Sequence, residues 1–380
     1  MKCQTSDPSG AEVVKTANYL LEKIDRNWKF AKSSREAAIP CFCQEDIALD
    51  KLIAEGGFSS VYGIKKINVD LKNKKECYPI EQESRRKKIV DNPKDFVIKF
   101  LGEKAINDTY EVCCLDLVTE TKILANLSHP HIISLRGVSS YGILGLKSRC
   151  QYNFFLILDK LDCTLRERQK QWNKKKGAGA AVPFGDRLKV AIEVADAMCY
   201  LSRKRILHRD IKPDNVGFTK KGDAKLYDFG LAKILPREGQ DFKFTAMVGT
   251  LRYMSPECAK KEKYGLASDV YSFSLLLWEL LSFDFPYRGM KDPEIHKKLT
   301  SEGCPLQVIE SWPAAIKNCV LKGSDYTASK RPSIESMYSN LSRRSRKVNR
   351  RASLPTNGTQ QCSKIVPCGL EEKMQCTSLD

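Results

Sequence analysis

Apolar and polar positions along the chain predict a first half that is rich in strands. Ile47 to Ile64 alternate closely enough to predict two strands joined by a glycine-containing turn. Phe96 to Phe100 and Phe154 to Leu158 are short apolar runs, which are typical of buried strands. Between these runs, Asp116 to Leu127 has the periodicity of a helix.

The two ends of the chain have different patterns. Apolar residues from Ala11 to Phe30 recur at steps of three and four, which predicts an amphipathic helix. Its apolar stripe must be covered, either by the strand-rich part of this chain or by another protein. After Leu341 the sequence is rich in Arg, Ser, Lys, Asn and Thr without periodicity, which predicts a disordered tail.

Other internal segments predict connections and helices. The charged stretch from Lys65 to Asp95 is too polar to form a core. Gln169 to Ala181 is basic and then rich in Gly and Ala, which predicts a linker before a helix from Arg187 to Ser202. Tyr271 to Phe283 is the most apolar segment, but it is too short to span a bilayer.

Composition indicates a soluble intracellular protein. The 380 residues are 42% hydrophobic, which is enough for one large core or two ordinary ones. The N-terminus has no run that resembles a signal peptide, so we expect a cytoplasmic location, with a nuclear one also open. The 15 cysteines are scattered and expected to be reduced, and their spacing with only 4 histidines predicts no structural metal.

The formal net charge of +18 leaves two interpretations open. The basic residues are either solvated loops and tails, or a site for an acidic partner or an anionic membrane surface. Nucleic acid is not expected, because neither an aromatic platform nor a base-reading motif accompanies the charge. The main basic runs are Lys72 to Lys75, Arg85 to Lys88, Lys174 to Lys176 and Arg343 to Arg351.

One stretch has the strongest chemical signal. His208 to Asn215 has the sequence His-Arg-Asp-Ile-Lys-Pro-Asp-Asn, and Asp-Phe-Gly follows at Asp228. Phosphoryl transfer needs a carboxylate near the attacking hydroxyl, a cation on the phosphates and oxygen ligands for magnesium. These groups are present as Asp210, Lys212, Asn215 and Asp228.

The two motifs, in this order, resemble the signature of the eukaryotic protein kinase superfamily, serine/threonine type. The resemblance implies an α+β fold with two lobes: a small antiparallel sheet with one helix, and a larger, mainly helical lobe. It implies ATP and Mg²⁺ as cofactors and a protein substrate with a Ser or Thr acceptor. Asp210 would be the catalytic base or orient the hydroxyl, and Lys212 would contact the transferred phosphate. Asn215 and Asp228 would hold the metal.

The resemblance divides the chain into four parts. Residues 1–45 are an N-terminal extension with the amphipathic helix, and residues 46–160 are the small lobe with a charged insertion at 65–95. Residues 161–341 are the large lobe, and residues 342–380 are the basic, disordered tail.

The glycine-containing turn resembles the loop that covers the phosphates in kinases. Of the three glycine positions in that loop only Gly56 is kept, because Ala54 and Ser59 occupy the other two, and Gly57 adds a flexible position. Alanine and serine are small, so we expect weaker nucleotide affinity and not its loss.

The other nucleotide contacts follow from the same resemblance. Lys99 would anchor the phosphates and pair with Glu120 in the active state. Gly217 replaces the usual apolar floor residue, so one apolar contact is expected to be missing. Adenine would contact the gatekeeper Leu158, main-chain groups of Asp159 and Leu161, and the covering side chains of Val61 and Val97.

Asp228 to Glu257 resembles a kinase activation segment. Its Gly249 to Met254 part resembles the substrate-docking loop of serine/threonine kinases, in which Thr250 would contact Asp210 and Lys212. Later in the chain, Asp269 would brace the catalytic loop and Arg331 would pair with Glu257. Asp269 to Phe273, with Trp278 to Leu280, looks most like the tyrosine-kinase-like group.

Three side chains are candidates for regulation: Thr245, Thr250 and Ser353. A phosphate on Thr245 could neutralise the charge of Arg209 and order the loop, which implies an upstream kinase as a partner. Ser353 follows Arg350 and Arg351 in a pattern that resembles the site preferred by cyclic-AMP-dependent kinases.

The sequence therefore predicts an ATP-dependent protein serine/threonine kinase. A pseudokinase scaffold is the alternative from another class, favoured by the altered glycine loop and Gly217. A small-molecule kinase is less well supported, because the activation segment ends in Ser255-Pro256-Glu257, which is of the protein-substrate type.

Overall fold

The computed structural model describes residues 8–28, 34–56, 59–68, 80–103, 110–148, 152–177, 182–236, 247–304 and 306–352. These residues form a smaller lobe built on one mixed sheet and a larger lobe built mainly of helices. The predicted two-lobed α+β fold is confirmed.

Six strands form the sheet of the small lobe. In chain order they are β1 (Cys41–Phe42), β2 (Ile47–Glu55), β3 (Ser59–Ile67), β4 (Phe96–Leu101), β5 (Leu135–Ser139) and β6 (Leu156–Asp159). Their order across the sheet is β1, β5, β6, β4, β3, β2. All neighbours are antiparallel except β1, which pairs parallel with β5 and was not predicted from the sequence.

Alternation along β4 sends side chains to two separate cores. Phe96, Ile98 and Phe100 are buried in a cluster on one face of the sheet. Val97 and Leu101 are buried in a second cluster on the opposite face, which continues into the large lobe. Lys99 shares the face of Val97, so the strand turns its one lysine toward the junction of the lobes.

Two helices precede the sheet, α1 (Pro8–Trp28) and α2 (Ser34–Ala37). Helix α1 packs against α4 (Tyr110–Ala125) and against residues 142–148, with Val14 and Ala17 buried. Its described apolar stripe is thus covered by this chain's own small lobe. Glu36 on α2 accepts hydrogen bonds from Lys122 Nζ on α4, at 3.0 Å.

The charged stretch from Lys65 to Asp95 contributes to the fold, and the expectation that it is too polar for a core was wrong. It contains the end of β3 and a helix, α3 (Ile80–Asp91). Ile89 of this helix is only 2% exposed. Arg86 lies 4.9 Å from the ring centroid of Phe42 and donates a hydrogen bond to the Cys41 carbonyl at 2.7 Å. The aliphatic part of an arginine side chain can pack in a core, and a search for apolar residues alone does not detect such contacts.

The large lobe begins with β7 (Cys163–Thr164). Its helices are α5 (Leu165–Gly177), α6 (Phe184–Arg203), α7 (Pro256–Ala259), α8 (Leu266–Ser282), α9 (Asp292–Ser301), α10 (Ala314–Gly323) and α11 (Ile334–Ala352). Helix α8 is buried along most of its length, because apolar residues occupy all of its faces. The linker predicted from Gln169 was wrong for residues 169–177, which continue α5.

Short strands hold the loops between the lobes. They are β8 (Ile206–Leu207), β9 (Val216–Phe218), β10 (Ala224–Leu226) and β11 (Lys233–Ile234). Strand β9 pairs with β7 and β10, and β8 pairs with β11. These pairs fix both ends of the His208 to Asn215 stretch.

The predicted start of the disordered tail at residue 342 was wrong, because α11 continues to Ala352. Ile334, Met337 and Leu341 anchor its first turns in the core, and the Arg- and Lys-rich residues that follow have good helix propensity. Residues 353–380, with Ser353, lie outside the described residues. In the described part of the chain, no helix is both long and apolar enough to cross a membrane.

Candidate active site

Neighbouring strands bring four expected nucleotide contacts to one face of the sheet. Val61 on β3 is the cross-strand partner of Lys99 on β4. Val97, two residues before Lys99, is the partner of Leu158 on β6. Since cross-strand partners point to the same face, these four side chains form one surface at the junction of the lobes.

Lys99 lies between two carboxylates. Its Nζ is 2.6 Å from Glu120 Oε2 on α4 and 3.0 Å from Asp228 Oδ1. The main-chain N–H of Phe229 donates to Glu120 Oε1 at 3.4 Å. The structure therefore unites the strand lysine, the helix glutamate and the Asp-Phe-Gly motif.

The electrostatics of this cluster favour a charged lysine. Burial disfavours the ammonium form of Lys99, but the carboxylates of Asp228 and Glu120 outweigh it, and the pKa of Lys99 is raised. The Lys99 charge in turn holds the pKa of Asp228 below its ordinary value, against the effect of burial. Burial raises the pKa of Glu120, and Lys99 opposes that rise. Lys99 is therefore positively charged, and its ammonium group could bind a phosphate.

The backbone at Asp228 has a positive φ of 67°, in the left-handed region that non-glycine residues seldom adopt. Phe229, which follows, is fully buried, and its ring packs edge-on against His208 with centroids 4.8 Å apart. Burial of this phenylalanine holds the strained backbone and aims the Asp228 carboxylate at Lys99.

The catalytic-loop candidates meet at the carboxylate of Asp210. Lys212 Nζ lies 2.6 Å from Asp210 Oδ2, and Asn215 Nδ2 donates to the same oxygen at 2.8 Å. Thr250 donates to Asp210 Oδ1 from its main-chain N–H at 2.9 Å and from Oγ1 at 2.8 Å. Lys212 also donates to Thr250 Oγ1 at 2.7 Å. The docking loop and the catalytic loop are therefore joined in one network.

Asp269 on α8 fixes the start of the catalytic loop, His208 to Asn215, by hydrogen bonds to its main chain. Its two carboxylate oxygens accept hydrogen bonds from the main-chain N–H groups of His208, at 2.6 Å, and Arg209, at 2.9 Å. Arg209 has a positive φ of 69°, and its side chain donates to the Leu231 carbonyl at 2.5 Å and the Tyr264 hydroxyl at 3.2 Å. The loop is thus fixed on both sides of Asp210.

Gly249 is required where the docking loop passes the catalytic loop. Its φ is 99°, and an added Cβ would lie only 2.4 Å from the Arg209 carbonyl oxygen. No side chain fits at this distance from a backbone atom, so glycine allows Thr250 to reach Asp210.

Gly217 is not simply a lost apolar contact. A Cβ at this position would lie 2.5 Å from Leu161 Cδ1 and 3.3 Å from a ring carbon of Tyr227. The Leu161 side chain therefore occupies the space that a larger residue at position 217 would fill. The expected loss of an apolar contact to the nucleotide at Gly217 stays a prediction.

The other nucleotide-contact candidates occupy the edges of the cleft. Ala54 is exposed near the end of β2, opposite Val61, and Gly56 donates its N–H to the Ser59 carbonyl at 2.8 Å to close the turn. Asp159 ends β6, and its carboxylate accepts two hydrogen bonds from Arg136, at 2.7 and 3.1 Å. Gly57 and Thr245 lie outside the described residues.

Arg331 and Glu257 form the expected pair at the end of the activation segment. The guanidinium donates twice to the carboxylate, at 2.7 and 2.8 Å, and the Arg331 side chain is fully buried. Such a bidentate pair fixes the geometry of both partners.

Sequence reasoning missed two half-buried charges near the site. Asp116 lies one turn before Glu120 on α4, next to Gly230, and burial raises its pKa to about 6 despite Lys233 and Arg209. Arg166 on α5 donates to the Tyr253 hydroxyl at 2.6 Å and to Asp214 at 3.2 Å, and it pairs with Glu279. No local motif marks either residue, because their partners are distant in sequence.

The donor set fits magnesium bound together with a nucleotide. Mg²⁺ is usually held by one or two protein oxygens, with phosphate and water completing its shell. The carboxylate of Asp228 and the amide of Asn215 provide such oxygens. Among the described residues, no three His, Cys, Asp or Glu side chains gather into a further metal-binding group.

The chain is similar in sequence to known proteins. The family model for protein tyrosine and serine/threonine kinases matches residues 47–341. A putative mitogen-activated protein kinase kinase kinase 7-like protein of Drosophila melanogaster is 38% identical over 227 residues, 56% of this chain and 52% of that protein. A probable serine/threonine-protein kinase of Dictyostelium discoideum is 29% identical over 251 residues, 65% of this chain and 14% of that protein.

A third relative is the megakaryocyte-associated tyrosine-protein kinase of Rattus norvegicus, 27% identical over 255 residues, 66% of this chain and 50% of that protein. The chain thus spans about half or less of the length of these three relatives. By name they include serine/threonine and tyrosine kinases, so the likeness does not by itself fix the acceptor hydroxyl.

Proposed function

Because the chain belongs to the protein tyrosine and serine/threonine kinase family, we propose that it transfers the γ-phosphoryl group of ATP to Ser and Thr hydroxyls of proteins. The observation that supports this most is the network in which Lys212 and Thr250 both contact the Asp210 carboxylate. We assign the chain to the tyrosine-kinase-like group and place its activity in the cytoplasm, with the nucleus also open.

Each side chain has a separable part in the proposed reaction. Asp210 orients the substrate hydroxyl and accepts its proton as the phosphate is transferred. Lys212 lies on the same side and neutralises charge on the transferred group. Lys99, held by Glu120, binds the phosphates of ATP. Asp228 and Asn215 would hold magnesium, which would neutralise charge on the phosphates of ATP.

The preference for Ser and Thr is argued from the docking loop. Thr250 and Lys212 both contact the Asp210 carboxylate, in the arrangement that the resemblance to serine/threonine kinases implies. Phosphorylation of Thr245 by an upstream kinase remains our proposal for regulation, through charge next to Arg209.

Activity and acceptor preference can be tested together. Purified protein is incubated with labelled ATP, magnesium and a generic basic protein, beside an Asp210→Asn variant. We expect label on Ser and Thr for the wild type, and incorporation lower by about a hundredfold or more for the variant. Equal incorporation by the two proteins would contradict catalysis by this site, and label on Tyr would contradict the acceptor preference.

A scaffold that binds partners without transfer is the second candidate. The altered glycine loop, with Ala54 and Ser59 at two glycine positions, supports it. Wild-type protein that binds ATP in a fluorescence assay but transfers no label to any generic substrate would favour this alternative.

A further inference from the structure

A cavity of about 450 Å³ lies mainly on the small lobe, next to the segment between α4 and β5. None of the residues assigned to ATP, magnesium or the acceptor lines it. It is enclosed by helices α2 and α3, the segment after α2, the end of α4, the chain from there to the start of β5, and β10. Its volume falls in the range of about 300–1,000 Å³ that is usual for ligand sites.

Five cationic side chains line this cavity, and they come from separate parts of the chain. Arg35 is on α2, Arg85 and Lys88 are on α3, Arg136 is on β5 and Lys225 is on β10. No Asp or Glu is among the lining residues. A concave surface lined by one sign of charge concentrates the field, so an anion is the natural ligand.

Nearby carboxylates neutralise only part of this charge. Arg85 pairs with Glu81 at 2.5 Å, and Arg136 pairs with Asp159 at 2.7 Å. Lys225 Nζ donates to two main-chain carbonyls, at 2.8 and 3.1 Å. Glu81 and Asp159 each pair with one cation, and Asp223 also attracts Lys225, so five cations exceed these three carboxylates and the cavity is net positive.

The same field acts on a lysine in the wall. Burial lowers the pKa of Lys225, attraction by Asp159 and Asp223 opposes this effect, and repulsion from Arg136 adds to it. An anion in the cavity would offset the repulsion between Lys225 and Arg136.

The lining of the cavity is mainly polar, with a smaller apolar floor. This floor is formed by Ile39, Ile89, Phe96, Leu124, Leu127 and Leu135, most of which are buried. A mainly cationic lining beside a small apolar floor matches a ligand whose anionic group makes the main contact and whose apolar neighbour makes a minor one. A flat membrane surface would meet cations spread over an exposed face, whereas these converge on a hollow. Nucleic acid would need more stacking surfaces than Phe96 and His129 offer.

We propose that this cavity binds a phosphorylated Ser or Thr segment of a partner protein, with an adjacent apolar side chain on the floor. Arg and Lys clusters recognise phosphate groups through charge-assisted hydrogen bonds, and the apolar neighbour would add specificity. The proposal goes beyond phosphoryl transfer, because binding here requires neither ATP nor Asp210.

Arg35 and Lys88 allow a clean test. Both side chains are exposed, so their substitution is not expected to disturb the core. Lys87 and Lys94 are also exposed but do not line the cavity. The double variant Arg35→Glu/Lys88→Glu therefore has a control of equal charge change in Lys87→Glu/Lys94→Glu.

The probe is an immobilised peptide pool with phosphoserine or phosphothreonine at its centre and leucine beside it. The full chain is applied without ATP or magnesium, and an unphosphorylated pool is run in parallel. We expect at least tenfold stronger retention on the phosphorylated pool, a loss of about tenfold in Arg35→Glu/Lys88→Glu, and no loss in the control. Circular dichroism checks the folding of each variant, and Arg35→Gln/Lys88→Gln replaces a variant that does not fold.

Several results would overturn the proposal. Equal retention on the two pools would exclude recognition of phosphate. Equal loss in the cavity variant and the control would place the binding elsewhere. Binding of inositol hexakisphosphate or of phosphatidylserine vesicles that depends on Arg35 and Lys88, without peptide binding, would identify a free polyanion or a lipid as the ligand instead.

Discussion

Single residues near Asp210 show how the two loops depend on each other. The Asp210 carboxylate accepts hydrogen bonds from Thr250, Lys212 and Asn215. Removal of any one donor leaves a buried carboxylate with fewer partners, and this changes its orientation.

Thr250 can be tested with a matched pair of variants. Thr250→Val removes the hydroxyl that donates to Asp210 and accepts from Lys212, and keeps the branched shape. We expect its kcat to fall by about ten- to a hundredfold, with a small change in the KM for ATP, since the nucleotide contacts are elsewhere. Thr250→Ser keeps the hydroxyl and should stay close to the wild-type rate. A Val variant as active as the Ser variant would show that the network has no part in the reaction.

Asp116 gives a prediction on pH. Its pKa of about 6 in the folded protein is above the unfolded value of 3.8, so the folded state binds the extra proton between these values. This group therefore stabilises the fold as the pH falls from about 6 to about 4, and its charge costs stability above pH 6.

Asp116→Asn should raise the free energy of unfolding at pH 7.5, by at most about 3 kcal/mol, since each pKa unit is worth about 1.4 kcal/mol. The gain should shrink toward zero near pH 4. Urea unfolding of the variant and the wild type across this range measures the difference, with the exposed Asp91→Asn as control. A gain that does not depend on pH would contradict the pKa as its cause.

Residues with a role in a contiguous motif could be found from the sequence, and others could not. Lys99 and Glu120 were expected as a pair because each stands in its own recognisable pattern, and the structure brings them to 2.6 Å. The position of Leu161 next to Gly217 could not be predicted. The two residues are far apart in sequence, and no local pattern shows that the Leu161 side chain occupies the space where a side chain at position 217 would lie. The same holds for Arg166, whose partners come from three separate segments.

At the scale of elements, α1 is placed to control α4. Helix α1 packs against α4, which bears Glu120. Glu36 on α2 also forms an ion pair with Lys122, near the C-terminal end of α4. Helix α4 therefore has two contacts with the N-terminal extension, and both resist its movement away from Lys99.

The contact between α1 and α4 can be tested by comparing substitutions of Val14 and Tyr19, which both lie on α1. Val14 is 5% exposed and Tyr19 is 62% exposed. Val14→Asp should lower the free energy of unfolding by about 2–4 kcal/mol, since it loses apolar burial and buries a charge, and should slow phosphorylation. Tyr19→Asp introduces the same charge at an exposed position and should change stability by less than about 0.5 kcal/mol. Similar effects of both variants would show that α1 does not support α4.

Which elements could be predicted depended on how they are held. Strands β4 and β6 and helix α8 are buried by apolar side chains, and their patterns were clear. Helices α3 and α5 are highly charged and are held by arginine stems, ion pairs and main-chain hydrogen bonds, so they lacked an apolar stripe. The amphipathic pattern of α1 showed that something covers it, but a stripe does not identify its partner.

At the scale of the whole molecule, the net charge of +18 gives a prediction about salt. We expect the protein to bind heparin at low ionic strength and to lose most of this affinity by about 0.3 M salt, because the Debye length falls below 10 Å. Elution from a heparin column over a salt gradient measures this. Retention that does not decrease with salt would contradict a mainly electrostatic interaction.

Strand β1 has a practical consequence for the preparation of this protein. Phe42 is fully buried, and its ring lies so near Gly137 that an added Cβ there would be 2.8 Å away. A recombinant fragment that starts at β2 would remove this ring and leave β5 as a bare sheet edge, which is a template for aggregation. Fragments for crystallisation or inhibitor screening should therefore keep the chain from α1 onward.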